Sequence, residues 1–198
     1  MNSIDLLIQQ LDTVNIRLHH TARDLTPDEL VAQPLAVVNP IGFILWHMAR
    51  SQDWAANTAI RDVPEVITRE PWRGSGLAVP GMGTGFDADG AAGVARRVDL
   101  ETLLAYADAV HSDLVAWLVT QNESLFDSIP DAAAHYTRFA EYRTPGFLAE
   151  MGSGPEHDDA VGRKGGLPAW VYLTSVAVTH LHRHLGEVDL VKDVLRQG

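Results

Sequence analysis

The chain has 198 residues, of which 46% are hydrophobic, enough for one domain with an apolar core. Its formal net charge of −11 and its sequence pI of about 5.1 oppose binding to phosphate backbones and anionic surfaces, so we expect no nucleic-acid or membrane partner. Cysteine is absent, which excludes disulfides, thiolate metal sites and a cysteine nucleophile and leaves His, Asp and Glu as metal ligands.

The N-terminal segment lacks the basic and continuously apolar regions of a signal peptide, and no apolar stretch is long enough to span a membrane. We therefore expect a cytoplasmic protein that forms a single domain over residues 1–198.

Two helices are predicted at the start of the chain. Residues 3–23 carry apolar side chains at intervals of three and four, which predicts an amphipathic helix. In "LTPDEL", Thr26 as N-cap, Pro27 at the first helical position and Glu29 three residues after the cap predict a second, short helix. Pro34 is expected to end it.

The next helix and a long connection follow. Asn39-Pro40 is a start signal for "IGFILWHMARSQDWAANTAIRD", a predicted helix to about Ile60. Residues 63–98 contain many of the glycines and show no periodicity, so we predict a loop of about 35 residues. Loops of this length in compact domains are usually functional.

Two further helices, separated by a second irregular excursion, complete the pattern. Asp99 is predicted to cap a helix over "LETLLAYADAVHSDLVAWLVTQ". Residues 122–166 are predicted to form a second irregular excursion, and Pro168 is predicted to open the last helix. No alternating β-branched run argues for a sheet. The sequence therefore predicts an all-α fold, a four-helix bundle with two long irregular connections.

Two histidines lie on the apolar stripe of the last helix. His180 and His184 occupy consecutive positions of this stripe, about 40° apart around the helix, with Cβ atoms roughly 6 Å apart. Both are therefore expected to point into the bundle. His182 lies about 200° from His180 and is expected to be a surface residue beside Arg183.

His47 also falls on an inward face, in a stripe with Ile44 and Ser51. Three inward histidines from two helices are the minimum for an open catalytic metal site, and three neutral ligands leave the charge of the ion uncompensated. The alternative is a set of core histidines that hydrogen-bond to backbone or carboxylate groups.

Two segments carry a resemblance to a known family. "ILWHMARSQDW" (44–54) and "THLHRHLGEVDLVK" (179–192) resemble the signature helices of the DinB/YfiT-like metalloprotein superfamily. The pattern is a tryptophan-preceded histidine on the second helix, followed by His-x-x-x-His-x-Gly-Glu/Gln near the C-terminus. His47, His180, His184 and the Gly186-Glu187 pair match it.

The resemblance implies an up-down-down-up four-helix bundle and a divalent ion, often zinc or nickel, on His47, His180 and His184. It also implies a metal-dependent enzyme acting on a small molecule. Relatives include transferases and isomerases that use a low-molecular-weight thiol as cosubstrate, and a hydrolase is the close variant. The alternatives are a non-catalytic stress protein that binds metal or a small molecule, and a structural bundle, often a homodimer, in which the histidines carry no metal.

Three further residues are candidates for substrate binding. Arg50, one turn after His47, would bind a carboxylate, or else form a surface ion pair. Trp54 would wall the pocket, or else belong to the core. Glu187 would orient a ligand or act as a base, or else be a solvated surface residue. No catalytic residue is assigned.

The loop over 63–98 carries apolar residues that a disordered linker would lack, among them Leu77, Met82 and Phe86. Because it follows the His47 helix directly, we expect it to fold over the metal pocket and form part of its wall. The alternative is a loop that covers the flank of the bundle or a dimer partner.

Overall fold

The computed structural model describes residues 1–35, 37–130 and 167–197. The described part contains α-helices and shorter helical turns and no strand. Seven α-helices are described, α1 (Ser3–Ala22), α2 (Pro27–Val31), α3 (Ile41–Asp53), α4 (Ala88–Ala95), α5 (Leu100–Leu118), α6 (Ser124–Asp127) and α7 (His180–Gln197). Two π-helical stretches extend the long helices: Trp54–Arg61 continues α3, and Val171–Thr179 leads into α7.

Local sequence signals start the helices where they were predicted. The Thr26 side chain accepts from the Glu29 backbone and Glu29 reaches back to Thr26, which completes the capping box of α2. The Asp99 side chain accepts from the backbone N–H of Thr102 at the start of α5. Asn39 makes no cap hydrogen bond, and α3 starts after Pro40.

Helices α1, α3, α5 and α7 form a four-helix bundle. Both α1 and α3 pack against α5 and α7, so α1 and α3 lie diagonally opposite each other. Residues further along α1 contact residues further along α7, so these two helices run parallel. Residues further along α1 contact earlier residues of α5, so α1 and α5 run antiparallel. The pairs are Arg17–His182 and Asp24–Lys192 with α7, and Asp12–His111 and Asn15–Asp108 with α5.

The direction of α3 follows in the same way. Arg50 contacts Tyr106 and Arg61 contacts Asp113, so α3 runs parallel to α5. His47 meets His180 while Gln52, further along, meets the earlier Ala177, so α3 runs antiparallel to the last helix. The order is therefore up-down-down-up, as predicted.

The connection over 63–98 is more ordered than expected. It contains 3₁₀ turns at Val66–Thr68 and Trp72–Gly74 and the helix α4, which packs against α3. The sequence prediction of a loop without helix is wrong for α4. Its glycines dilute the apolar pattern, and Asp87, whose side chain accepts from the Gly90 N–H, starts the helix.

The second connection is described only in part. Residues 122–130 contain α6, which agrees with the expected short helical turns, and the rest of the predicted 122–166 excursion lies outside the described residues. In the described residues, no helix combines the length and apolar character needed to cross a bilayer.

Candidate metal centre

Three imidazole rings meet where α3 crosses the start of α7. The Nε2 atom of His180 lies 3.3 Å from that of His47 and 2.8 Å from that of His184. Ring centroids are 4.4 to 5.0 Å apart in all three pairs. The sequence prediction placed these rings on inward faces of two helices, and the structure brings them together.

In two of these rings, the Nδ1 atom makes a hydrogen bond to a group outside the cluster. His47 Nδ1 lies 2.5 Å from the Met82 carbonyl oxygen, and His184 Nδ1 lies 2.5 Å from Glu187 Oε2. A carbonyl only accepts and a carboxylate accepts, so each Nδ1 carries the proton. The Nε2 atoms of His47 and His184 therefore present lone pairs to the cluster, the tautomer that a metal ligand requires.

The cluster favours neutral imidazoles. Burial, together with the neighbouring His47, lowers the pKa of His180 and of His184 to about 3. Two lone pairs held 2.8 Å apart repel unless a proton or a cation lies between them. Three neutral nitrogen donors whose ligand atoms all lie within 4.8 Å of one another therefore fit a divalent cation of the zinc type.

A pocket of about 410 Å³ opens onto the three rings. Its apolar wall includes Phe43, Met82 and Phe86, and Phe43 stacks on His47 with ring centroids 5.9 Å apart. Residues 82–86 come from the glycine-rich connection, which confirms the expectation that this segment forms part of the wall. The volume is in the range of small-molecule sites.

Comparison with known proteins bears on the family and the fold of the chain. The sequence profile of the DinB superfamily matches residues 10–158, about three quarters of the chain. The chain belongs to the DinB superfamily. The match includes His47 on α3 and ends before α7.

One solved structure similar to this DinB chain is the crystal structure of the conserved protein of locus from Enterococcus faecalis. It shares 16% sequence identity with a TM-score of 0.72, over 100% of this chain and 99% of that chain. At this identity the likeness supports the fold alone. No curated protein matches the chain.

Glu187 and His182 lie on different sides of α7. Glu187 accepts from His184 Nδ1, so it orients that ring and is not merely a solvated residue. His182 is half-buried and contacts Arg17 of α1, away from the three rings. The predicted outward phase of His182 therefore holds, although α1 partly covers it.

Arg50 is buried, only 3% exposed, which corrects the expectation of a surface ion pair. It pairs with Glu65 and donates two hydrogen bonds to the Gly81 carbonyl, through Nε at 3.1 Å and Nη2 at 2.9 Å. It is not among the residues that line the pocket, so its geometry does not support substrate contact. Arg50 instead ties the connection to α3 directly before Met82, the acceptor for His47.

The same cluster contains a buried acid, Asp53. Its carboxylate accepts from the backbone N–H groups of Val66 and Ile67 and from the Tyr106 hydroxyl. Burial raises the pKa of Asp53, and the neighbouring Glu65 charge adds to the rise. These contacts hold the start of the connection against α3 and α5.

Trp54 also lies outside the pocket lining. It is fully buried and meets Tyr172 edge to face, with ring centroids 6.0 Å apart, in an apolar cluster that includes Met82. Because Met82 also lines the pocket, this cluster joins the pocket wall to the core, and the position of Trp54 favours its core role.

Two contributors to the site escaped the sequence analysis. The Met82 carbonyl is a backbone group 35 residues from His47, and no side-chain pattern marks it. Arg183 was placed at the surface, but it also lines the pocket, with Nη2 3.3 Å from His184 Nε2. Its position directly before a predicted ligand was the available signal.

Proposed function

We propose that this DinB-superfamily protein is a metal-dependent enzyme that acts on a small molecule, with one divalent ion held by His47, His180 and His184. The observation that carries the proposal is the convergence of three Nε2 atoms on the wall of a pocket of about 410 Å³. The proposed activity is that of a thiol-dependent transferase or isomerase, or that of a hydrolase. The proposed metal is zinc or nickel.

A divalent cation on three neutral imidazoles keeps its charge uncompensated and supplies Lewis acidity that lowers the pKa of a bound thiol or water. The residues of the chain set the conditions for this. Glu187 and the Met82 carbonyl hold two rings in the ligating tautomer. Phe43 and Phe86 give the pocket an apolar wall, which limits the access of water to one side.

A second candidate is a protein that binds metal or a small molecule without turnover. Among the described residues that line the pocket, none is Asp or Glu, and Glu187 is engaged by His184. A hydrolase usually needs a general base close to its water, so this lining favours thiol chemistry or simple binding over hydrolysis.

The test of metal binding is elemental analysis of protein purified without a histidine tag, because nitrogen ligands take up nickel from an affinity column. We expect one divalent ion per chain in the wild type and in His182→Ala, and loss of the ion in His184→Ala. His182→Ala is the matched control, since it removes an imidazole from the same helix that faces α1.

Equal loss of metal in the two variants, or a wild type without metal, would contradict the assignment of the ligands. Turnover separates enzyme from binding protein: the loaded wild type is assayed with a low-molecular-weight thiol and electrophilic acceptors, with His184→Ala as the inactive reference. Binding of both metal and thiol without turnover favours the second candidate.

A further inference from the structure

The described lining of the pocket differs in charge from the chain as a whole. The chain has a formal net charge of −11. The described residues that line the pocket nevertheless include no Asp or Glu, and they include one arginine, Arg183. In so acidic a protein, a described lining without carboxylates disfavours a cationic ligand and favours an anionic one.

Arg183 lies at the rim of this pocket. Its side chain is exposed, and its Nη2 atom donates to His184 Nε2 over 3.3 Å. That lone pair is the one through which His184 would hold a metal ion, so ligation removes the acceptor from Arg183. Within the described part of the chain Arg183 forms no ion pair, unlike Arg61 and Arg196, so its guanidinium is then available to a ligand.

Another part of the pocket wall is apolar and aromatic. Phe43 and Phe86 line the pocket with ring centroids 6.2 Å apart, and Met82 lies beside them. Apart from Arg183 and the three histidines, the polar side chains of the described lining are short and uncharged, such as Ser51 and Thr84. A ligand that fills this space has one charged end near Arg183 and a small apolar body.

We propose that the pocket binds a small organic carboxylate, whose charged group Arg183 holds beside the three histidines and whose apolar body packs against Phe43 and Phe86. The planar fork of a guanidinium matches a carboxylate, and one arginine balances one negative charge. The proposal names a substrate class and rests on the function proposed above.

The experiment is calorimetric titration of the zinc-loaded full-length protein with phenylacetate, acetate and the neutral phenylacetamide. We expect phenylacetate to bind more tightly than the other two. Arg183→Gln should weaken phenylacetate binding by about tenfold or more, the size of a lost charged hydrogen bond. Zinc content should stay unchanged in this variant, and Arg183→Lys should recover part of the affinity.

Arg17→Gln is the matched control, because it removes the same charge from α1 at a residue that does not line the pocket. Wild-type affinity for phenylacetate in Arg183→Gln would overturn the proposal. Equal affinity for phenylacetamide and phenylacetate would also overturn it, as would a wild type that binds none of the carboxylates at millimolar concentration.

Repeating the titration on metal-free protein separates this proposal from the metal assignment. If the wild type binds no zinc but binds phenylacetate in a manner that depends on Arg183, the metal assignment fails and the anion site stands. If zinc binds through His184 while phenylacetate is indifferent to Arg183, the metal assignment stands and the anion site fails.

Discussion

At the scale of single residues, the proposed metal centre depends on the groups that orient the imidazoles as much as on the imidazoles. Glu187 follows His184 by three positions on α7, so the helix itself places its carboxylate against Nδ1. The carboxylate fixes the tautomer and makes Nε2 a better donor to a cation. Hence the Glu of the His-x-Gly-Glu pattern has a physical role in the site.

We expect Glu187→Ala to weaken zinc affinity by about 10- to 100-fold, because His184 loses the acceptor that orients it. Glu187→Gln should lose less zinc affinity, since its amide oxygen can still accept the hydrogen bond from His184 Nδ1. Affinity is measured by competition with a chromophoric chelator, and circular dichroism checks the fold. Asp193→Ala removes the same charge from an exposed position of α7 and should bind zinc as the wild type does. Unchanged affinity in Glu187→Ala would contradict an orienting role.

At the scale of elements, the connection over 63–98 is part of the site. The Leu77 carbonyl accepts a hydrogen bond from Trp46 Nε1 at 2.9 Å, and the Gly81 carbonyl accepts from Arg50. The carbonyl of the following residue, Met82, accepts from His47 Nδ1. Three successive tethers on one face of α3 therefore set the position of the pocket wall. Removing the connection would deprive the buried guanidinium of Arg50 of the Glu65 carboxylate and the Gly81 carbonyl.

Two glycines of this connection offer a matched test. Gly83 and Gly85 both have positive φ, +97° and +81°, so alanine is strained at either position. A Cβ at Gly83 would lie 2.8 Å from Phe43 Cζ and 3.0 Å from Trp46 Cζ3, whereas at Gly85 nothing lies within 4 Å.

We expect Gly83→Ala to lower the free energy of unfolding by about 1–3 kcal/mol more than Gly85→Ala, the usual cost of overpacking. It should also weaken zinc affinity, because a displaced Phe43 moves the ring stacked on His47. Urea unfolding and chelator competition measure the two effects. Equal losses of stability in both variants would show that the clash is relieved without cost.

At the scale of the whole molecule, ion pairs join the two ends of the chain. Arg196 and Lys192 of α7 contact Asp24, just after α1, and Arg196 also contacts Glu29 of α2. Hydrogen bonds from Lys192 and Arg196 lower the pKa of Asp24 well below its ordinary value. The hydrogen bond from Arg196 lowers the pKa of Glu29 to about 2.

Both carboxylates have a lower pKa in the folded than in the unfolded chain, so their contribution to stability is present above the unfolded values near 4 and is lost as pH falls toward 2. We expect the urea concentration at the unfolding midpoint to decrease as the pH is lowered from about 6 to about 3, and to decrease less in Arg196→Gln. Arg96→Gln, an exposed arginine of the C-terminal end of α4, is the control and should behave as the wild type. An identical pH dependence in wild type and Arg196→Gln would contradict the role of these pairs.

Helix positions could be predicted from the sequence wherever an apolar stripe and a cap coincide. The stripe of α1 and the caps at Thr26 and Asp99 are local signals, and the structure follows them. Helix α4 was missed because glycine and alanine weaken its pattern, and its burial against α3 supplies the stability that propensity does not.

The inward phase of His180 and His184 was determined by the sequence alone, because 3.6 residues per turn place both on the apolar stripe whatever else surrounds the helix. His182 was assigned to the other side for the same reason. The approach of His47, the carbonyl of Met82 and the burial of Arg50 were decided only by the tertiary structure. Each joins segments far apart in the chain, and their meeting depends on how α3, α7 and the connection pack, which no local periodicity encodes.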